Sequence, residues 1–171
     1  MSFTAAALGL VTGIAAAGEA QATTYWRSIK FVHAHGYCLT VQAHASTAKG
    51  KRELIKKCNS GTAQAWRMDF SEAHSTLIAK LHPGGDTSKC LDGAKTEKTG
   101  TEWYLHAVKC NSSTSQQWTH VLADTQGLWS AQNYKTKLCI APRKRAQSSG
   151  TWVVTTKCSG STGSRQMLQA A

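Results

Sequence analysis

Three pairs of cysteines recur along this chain of 171 residues at nearly constant spacing. The two members of a pair stand 20, 20 and 19 positions apart, and successive pairs begin after 52 and 49 positions. Each pair is followed by a triplet that begins with Gln. A repeating unit with its own cysteine pair predicts three copies of one supersecondary module. The pairs are Cys38/Cys58, Cys90/Cys110 and Cys139/Cys158, and the triplets are Gln64-Ala65-Trp66, Gln116-Gln117-Trp118 and Gln166-Met167-Leu168.

The spacing of the cysteines also favours one pairing over the others. Six cysteines allow 15 pairings in principle, but a repeated module closes its own loop only if the sequence-adjacent pairs form. None of the cysteines stands in a CxxC motif. The pattern therefore predicts a disulfide framework formed in an oxidising compartment.

The first 22 residues are predicted to be a secretory signal peptide, so we expect a secreted, extracellular protein. Residues 5–18 are small and apolar, and Ala20-Gln21-Ala22 fits the pattern of a signal-peptidase site. The start of this segment lacks the Lys or Arg that signal peptides usually carry. The apolar run is too short to span a bilayer, and we expect no stable membrane insertion.

The rest of the chain carries the signals of short strands. Apolar residues alternate in runs that are separated by turns rich in Gly, Ser, Asn and Thr, and no helical period is sustained. About four strands per module are expected, which predicts an all-β barrel or sandwich. Gly50, Gly100 and Gly150 occupy matching places, consistent with a turn that requires positive φ or a close backbone approach.

With Cys90-Leu91-Asp92, the paired cysteines and the Gln-x-Trp triplets, the chain resembles the ricin B-type (R-type, QxW) lectin family. The resemblance implies an all-β fold, the β-trefoil, with three repeats, pseudo-threefold symmetry and one disulfide within each repeat. It implies a trefoil domain over residues 23–171, with repeats at about 25–70, 71–121 and 122–171. It also implies that Trp66, Trp118 and Leu168 pack the core rather than bind sugar.

The resemblance also implies where a saccharide would bind. The family places a carboxylate two residues after the first cysteine, and an amide four residues and an aromatic two residues before the second. The second module fits best, although Val108 holds the aromatic position. Tyr104, on the same face of an extended strand, is expected to replace that platform. The predicted carbohydrate-binding residues are Asp92, Tyr104, His106, Ser115 and Gln116. Thr40 and Ala141 stand in the carboxylate position of the other modules, whose pockets are expected to be degenerate.

These observations predict a carbohydrate-binding protein that recognises a galactose-type or other cell-surface glycan. The alternative is a basic trefoil scaffold that works through protein or anionic-surface contacts, because the formal net charge is +11. An anionic polysaccharide is then a further candidate partner. No nucleic-acid motif accompanies the charge, so we expect no nucleic-acid partner. The chain shows no GxSxG, HExxH or P-loop motif, and we expect neither catalysis nor a metal or cofactor.

Overall fold

The computed structural model describes residues 24–47, 50–73, 76–84, 86–122, 128–145, 148–159, 166 and 168–170. The predicted signal peptide lies outside these residues. Within them the chain forms strands and short 3-10 turns only. The strands are β1 (Thr24–Arg27), β2 (Ile29–Phe31), β3 (Tyr37–Thr47), β4 (Gly50–Lys57), β5 (Trp66–Ala73), β6 (Thr76–Pro83), β7 (Lys89–Asp92), β8 (Lys98–Thr99), β9 (Glu102–Tyr104), β10 (His106–Lys109), β11 (Trp118–Leu122), β12 (Trp129–Asn133), β13 (Leu138–Pro142), β14 (Val153–Lys157) and β15 (Leu168–Ala170). The 3-10 turns are Thr62–Gln64, Thr114–Gln116 and Arg143–Arg145.

The described strands pair antiparallel, which agrees with the all-β prediction. Hairpins join β3 to β4, β5 to β6, β11 to β12 and β13 to β14. Other pairings connect distant parts of the chain. Strand β10 pairs with both β7 and β4, and β9 pairs with β14. The segments that carry the three cysteine pairs therefore meet edge to edge.

The tryptophans of the triplets lie in the hydrophobic core, as the family resemblance implied. Trp66 and Trp118 are almost completely buried, and Leu168 fills the third triplet position in the same core. Each indole N–H is satisfied by a backbone carbonyl, that of Leu39 at 2.9 Å and that of Leu91 at 3.0 Å. A buried indole needs such a partner, because an unpaired N–H in the core is costly. Each bond links one tryptophan to the strand that contains the first cysteine of the disulfide before it.

The glutamines of the triplets form one hydrogen-bonding arrangement three times, which we call the glutamine clamp. The side-chain oxygen accepts from the N–H just after the second cysteine, and the side-chain nitrogen donates to the carbonyl just before it. The oxygen of Gln64, Gln116 and Gln166 accepts from Asn59, Asn111 and Ser159 at 2.7, 2.8 and 2.6 Å, and the nitrogen donates to Lys57, Lys109 and Lys157 at 3.0, 3.0 and 2.7 Å.

The cysteines pair as the spacing favoured. Disulfides join Cys38 to Cys58, Cys90 to Cys110 and Cys139 to Cys158, with Cα–Cα distances of 5.0, 4.9 and 5.0 Å. In each pair the first cysteine is buried and the second is half-buried. The positive φ expected of the matching glycines is found at Gly100 (64°) and Gly150 (86°).

Candidate functional site

The candidate site is built around Asp92, the last residue of β7 and half-buried. Its Oδ1 accepts a hydrogen bond from the backbone N–H of Ala94 at 2.7 Å. Its Oδ2 accepts from the side-chain nitrogen of Gln116 at 3.3 Å. Cys90 lies two residues before it and fixes the strand covalently. The carboxylate is therefore held in one orientation while part of it faces solvent, which suits it to accept hydrogen bonds from a ligand.

The corresponding positions near the other two disulfides lack such an acceptor. Thr40 is buried, and its hydroxyl donates to the carbonyl of Cys38 and accepts from Gln64. Ala141 is also buried and has no polar side-chain atom. The glutamine clamp thus reaches the same position near the first two disulfides, but only Asp92 presents a partly exposed carboxylate there.

Three of the five predicted binding residues are buried. His106, Ser115 and Gln116 are 2%, 3% and 0% exposed. Gln116 uses its amide in the glutamine clamp and on Asp92. The Ser115 hydroxyl contacts that of Ser113 at 2.7 Å. The structure brings Gln116 to Asp92. Ser115 and Gln116, the two predicted residues of this turn, are both buried.

His106 lies directly opposite Asp92 in the pairing of β10 with β7. Its Nε2 lies 3.0 Å from Oε2 of Glu97, and its buried Nδ1 has no hydrogen-bond partner among the described residues. Burial lowers the pKa of the imidazole below 6.5, while Glu97 opposes that shift. The neutral ring that donates from Nε2 to the carboxylate is therefore favoured.

Glu97 and Arg52 are functional candidates that the sequence analysis missed. Arg52 Nε donates to Glu97 Oε2 at 3.0 Å, and Arg52 Nη2 contacts Glu97 Oε1, so the ion pair is bidentate. The guanidinium, together with the hydrogen bond from His106, lowers the pKa of Glu97. Arg52 stands on β4 and Glu97 in the loop before β8. No local motif predicts this contact, because the two residues are 45 positions apart.

Tyr104 belongs to a different part of the surface from the one expected. It is in register with Val154 of β14, whereas His106 is in register with Asp92, because the chain leaves β9 at Tyr104 and begins β10 at His106. Leu105, between them, is completely buried. Arg52 lies 4.3 Å from the centre of the Tyr104 ring, and Trp152 packs edge-on against that ring at 6.1 Å. Among the described contacts, those that connect Tyr104 to Asp92 run from Tyr104 to Arg52, then to Glu97 and then to His106, which lies opposite Asp92.

The three residues Arg52, Tyr104 and Trp152 form what we call the cap cluster. Each stands six positions before the second cysteine of its disulfide. Arg52 also lies 5.5 Å from the Trp152 ring, so one guanidinium covers both aromatic side chains. That shared offset is the sequence signal from which the cluster could have been found.

Among the described residues, His82, Cys90 and Cys110 form the one group with the spacing of metal ligands. Both sulfurs belong to a single disulfide, so they offer no thiolate to a metal.

The comparisons with known proteins agree with this architecture. A family model described as a ricin-type beta-trefoil lectin domain matches residues 12–118, more than half of the chain. The chain belongs to the ricin-type β-trefoil lectin family. No curated protein matches the chain significantly.

Solved structures of low sequence identity share the fold. The designed threefold-symmetric protein ThreeFoil is 17% identical with a TM-score of 0.69, and the match covers 85% of this chain and 96% of that one. A mosquitocidal holotoxin is 14% identical with a TM-score of 0.69, covering 86% of this chain and 17% of that one. A Polyporus squamosus lectin is 11% identical with a TM-score of 0.64, covering 85% and 48%. The fold is therefore all-β and β-trefoil-like, with three disulfides. Within the described residues, no helix has the length and apolar character needed to cross a membrane.

Proposed function

We propose that the chain is a secreted carbohydrate-binding module whose saccharide contact lies at Asp92. Family membership supports carbohydrate recognition as the general activity. The Polyporus squamosus lectin was solved with a sialylated galactose-containing epitope, which agrees with a galactose-type ligand. The observation that carries the proposal is the half-exposed Asp92 carboxylate, fixed by Ala94 and Gln116 where the other two disulfide segments hold a buried Thr and a buried Ala.

The proposal includes the organisation of the whole chain. Residues 1–22 are removed on export, and residues 23–171 form three repeats related by pseudo-threefold symmetry, each closed by one disulfide. The threefold recurrence of the glutamine clamp and of the disulfide distances supports the repeats. The disulfides also agree with an extracellular protein. The chain works as a binding protein without catalysis, although other proteins with this fold are parts of glycosidases and toxins.

The predicted site residues, together with Glu97 and Arg52, have different roles in the proposed site. Asp92 touches the sugar hydroxyls, since it is fixed and half-exposed. Gln116 and Ser115 position Asp92 and its turn from below. His106 and Glu97 form the adjoining polar wall, and Tyr104 extends the site through Arg52. One such shallow site binds weakly, with a dissociation constant of about 1 mM, equivalent to about −4 kcal/mol. Clustered ligands or linked copies raise the effective affinity.

The test is binding of the mature protein to a panel of immobilised glycans at high salt, with free galactose as competitor. We expect binding that galactose competes away. Asp92→Asn removes the charge with little change of shape and is expected to weaken binding by roughly tenfold or more, since charge-assisted hydrogen bonds are the strong ones.

The matched control is Asp86→Asn. Asp86 is an exposed carboxylate near the same disulfide, and it accepts from the N–H of Ser88 at 2.9 Å as Asp92 accepts from Ala94. Its replacement is expected to leave binding unchanged. Absence of binding to any saccharide, or equal binding by the Asp92 variant, contradicts the proposal.

A basic scaffold that acts on anionic surfaces is the second candidate. Lys57, Lys109 and Lys157 are all exposed and stand just before the second cysteine of each disulfide. Such a function predicts retention on any polyanion at low salt and release at about 0.5 M salt, because exposed charges are screened beyond a Debye length. Binding by the lectin site persists at that salt concentration.

A further inference from the structure

We propose that the Cys90–Cys110 disulfide is a thiol-exchange site, activated by His82 and Asp69. The ligand class is a small thiol or dithiol that attacks the disulfide in the folded protein. This chemistry is separate from the proposed saccharide binding and does not depend on it.

His82 lies against both sulfurs. It is buried in β6, and its Nδ1 lies 3.7 Å from Sγ of Cys90 and 3.5 Å from Sγ of Cys110. The same nitrogen is 2.9 Å from the carbonyl oxygen of Lys89. The other ring nitrogen, Nε2, lies 3.1 Å from Oδ2 of Asp69 on β5. The edge of the imidazole that carries Nδ1 therefore faces the disulfide, and a histidine in this place can deliver a proton to a departing sulfur.

An imidazole that takes up a proton beside a departing sulfur favours thiolate formation. A nearby positive charge stabilises the thiolate over the thiol, and a thiolate that is stabilised is also a better leaving group. Cys90 is completely buried, whereas Cys110 is half-buried. An external thiol therefore reaches the sulfur of Cys110, and the sulfur of Cys90 leaves beside His82.

The reaction balances in two steps. An external thiolate bonds to Sγ of Cys110, the Cys90–Cys110 bond breaks, and its electron pair stays on Cys90, which His82 stabilises or protonates. A second thiolate then attacks the external sulfur of the mixed disulfide and releases Cys110 as a thiolate. The two external thiols are oxidised to one disulfide, and the protein disulfide is reduced by two electrons.

The third disulfide serves as the internal control, because its cysteines have the same pattern of burial and a neutral side chain beside them, whereas a lysine stands beside the first. The residue in register with Cys139 is Gln132, whose side-chain nitrogen donates to Sγ of Cys158 at 3.3 Å. The residue in register with Cys38 is Lys30. A neutral amide therefore takes the place beside the third disulfide that the imidazole of His82 takes beside the second.

The experiment exposes the folded, oxidised protein to limiting dithiothreitol, blocks free thiols at successive times with an alkylating reagent, and maps the labelled cysteines by mass spectrometry. We expect Cys90 and Cys110 to be labelled roughly fivefold faster than Cys139 and Cys158, from the dependence of exchange on the leaving thiol. The variant H82Q is expected to bring the two rates together.

The reciprocal variant Q132H keeps the test decisive if H82Q folds poorly. It places an imidazole beside the third disulfide, and labelling of Cys139 and Cys158 is expected to accelerate. The variant Asp69→Asn is expected to slow exchange at Cys90–Cys110 partway, because it removes the anion that faces the ring. Equal rates at all three disulfides of the unaltered protein overturn the proposal. So does an unchanged Cys90–Cys110 rate in folded H82Q.

Discussion

At the scale of single residues, the glutamines of the triplets act on the backbone. Gln116 closes the chain around Cys110 by bonding Asn111 and Lys109, and it also holds Asp92. Its own side chain is completely buried, whereas its three partners lie at or near the surface. One side chain therefore connects the disulfide, the turn and the candidate carbohydrate site.

We expect Gln116→Ala to lower the free energy of unfolding by about 2–3 kcal/mol, because it removes three hydrogen bonds made by one buried side chain. The control is Gln117→Ala, at the half-buried neighbouring position, with an expected effect within about 0.5 kcal/mol. Urea denaturation of both variants with the disulfides intact gives the comparison. Equal losses in the two variants contradict the role assigned to Gln116.

The buried imidazole of His106 makes stability depend on pH. Burial lowers its pKa in the folded state below 6.5, so the unfolded chain binds more protons just below that pH. Stability is therefore expected to fall as the pH decreases from about 6.5. The lowered pKa of Glu97 adds a second loss, which begins only below about 4.5. Both effects have the same sign.

The pH effect is measured from the free energy of unfolding between about pH 5 and pH 7. His106→Gln is expected to flatten the profile in this range, since the titrating group is gone. His35→Gln alters an exposed histidine and is expected to keep the slope of the unaltered protein. A slope that persists in His106→Gln assigns the effect to another group.

At the scale of elements, Gly93 permits the close approach of β7 to the core tryptophan. A Cβ at this position would lie 2.7 Å from Nδ2 of Asn133 and 2.8 Å from the ring of Trp118. Asn133 is itself fixed, because it donates to the carbonyl of Ser115 at 2.6 Å. Neither neighbour can move without breaking a buried contact.

We therefore expect Gly93→Ala to destabilise the protein by about 2–3 kcal/mol through overpacking. Gly36→Ala is the comparison, because Gly36 has a φ of 76° but open space around it. Its expected loss is about 1 kcal/mol, from backbone strain alone. Thermal and urea unfolding of the two variants measure the difference, and a smaller loss for Gly93→Ala refutes the packing argument.

Arg52 connects the cap cluster to Glu97 through their ion pair. A double-mutant cycle with Arg52→Met and Glu97→Gln is expected to give a coupling energy of about 1 kcal/mol. The value is modest because both side chains remain about one-fifth exposed, although the pair is bidentate. The coupling energy is obtained from the unfolding of the two single variants and the double variant. A value near zero contradicts a stabilising role for the ion pair.

Some features of these elements can be predicted from the sequence, and others depend on contacts that form only in the folded chain. The disulfide pairs follow from local spacing, since each joins residues about 20 positions apart within one repeating pattern. The burial of the triplets was implied by the family resemblance. The shared offset marks the members of the cap cluster but not their contacts, because Arg52, Tyr104 and Trp152 meet only when β4, β9 and the residue before β14 are assembled. Tyr104 was predicted as a sugar platform from strand alternation, and the break at Leu105 separates it from His106. Asp92 and Gln116 were predicted in one site, but the folded chain was required to show that Gln116 is buried and holds the carboxylate of Asp92.

At the scale of the whole molecule, three segments are each closed by a disulfide, and one of them carries a polar site unlike the corresponding positions of the other two. Near the first and third disulfides, buried Thr40 and Ala141 occupy the place that Asp92 holds near the second. A disulfide and the glutamine clamp are thus common to the three segments, whereas the proposed chemistry belongs to one of them. Binding through a single site predicts one saccharide per chain.

The most direct test of this account is a titration of isotope-labelled mature protein with galactose, followed residue by residue through the backbone amide signals. We predict saturable shifts centred on residues 92–97 and 104–116, with one ligand bound per chain and no such shifts in Asp92→Asn. Absence of saturable shifts at any sugar concentration contradicts the account, as do shifts centred on residues 38–58 or 139–158.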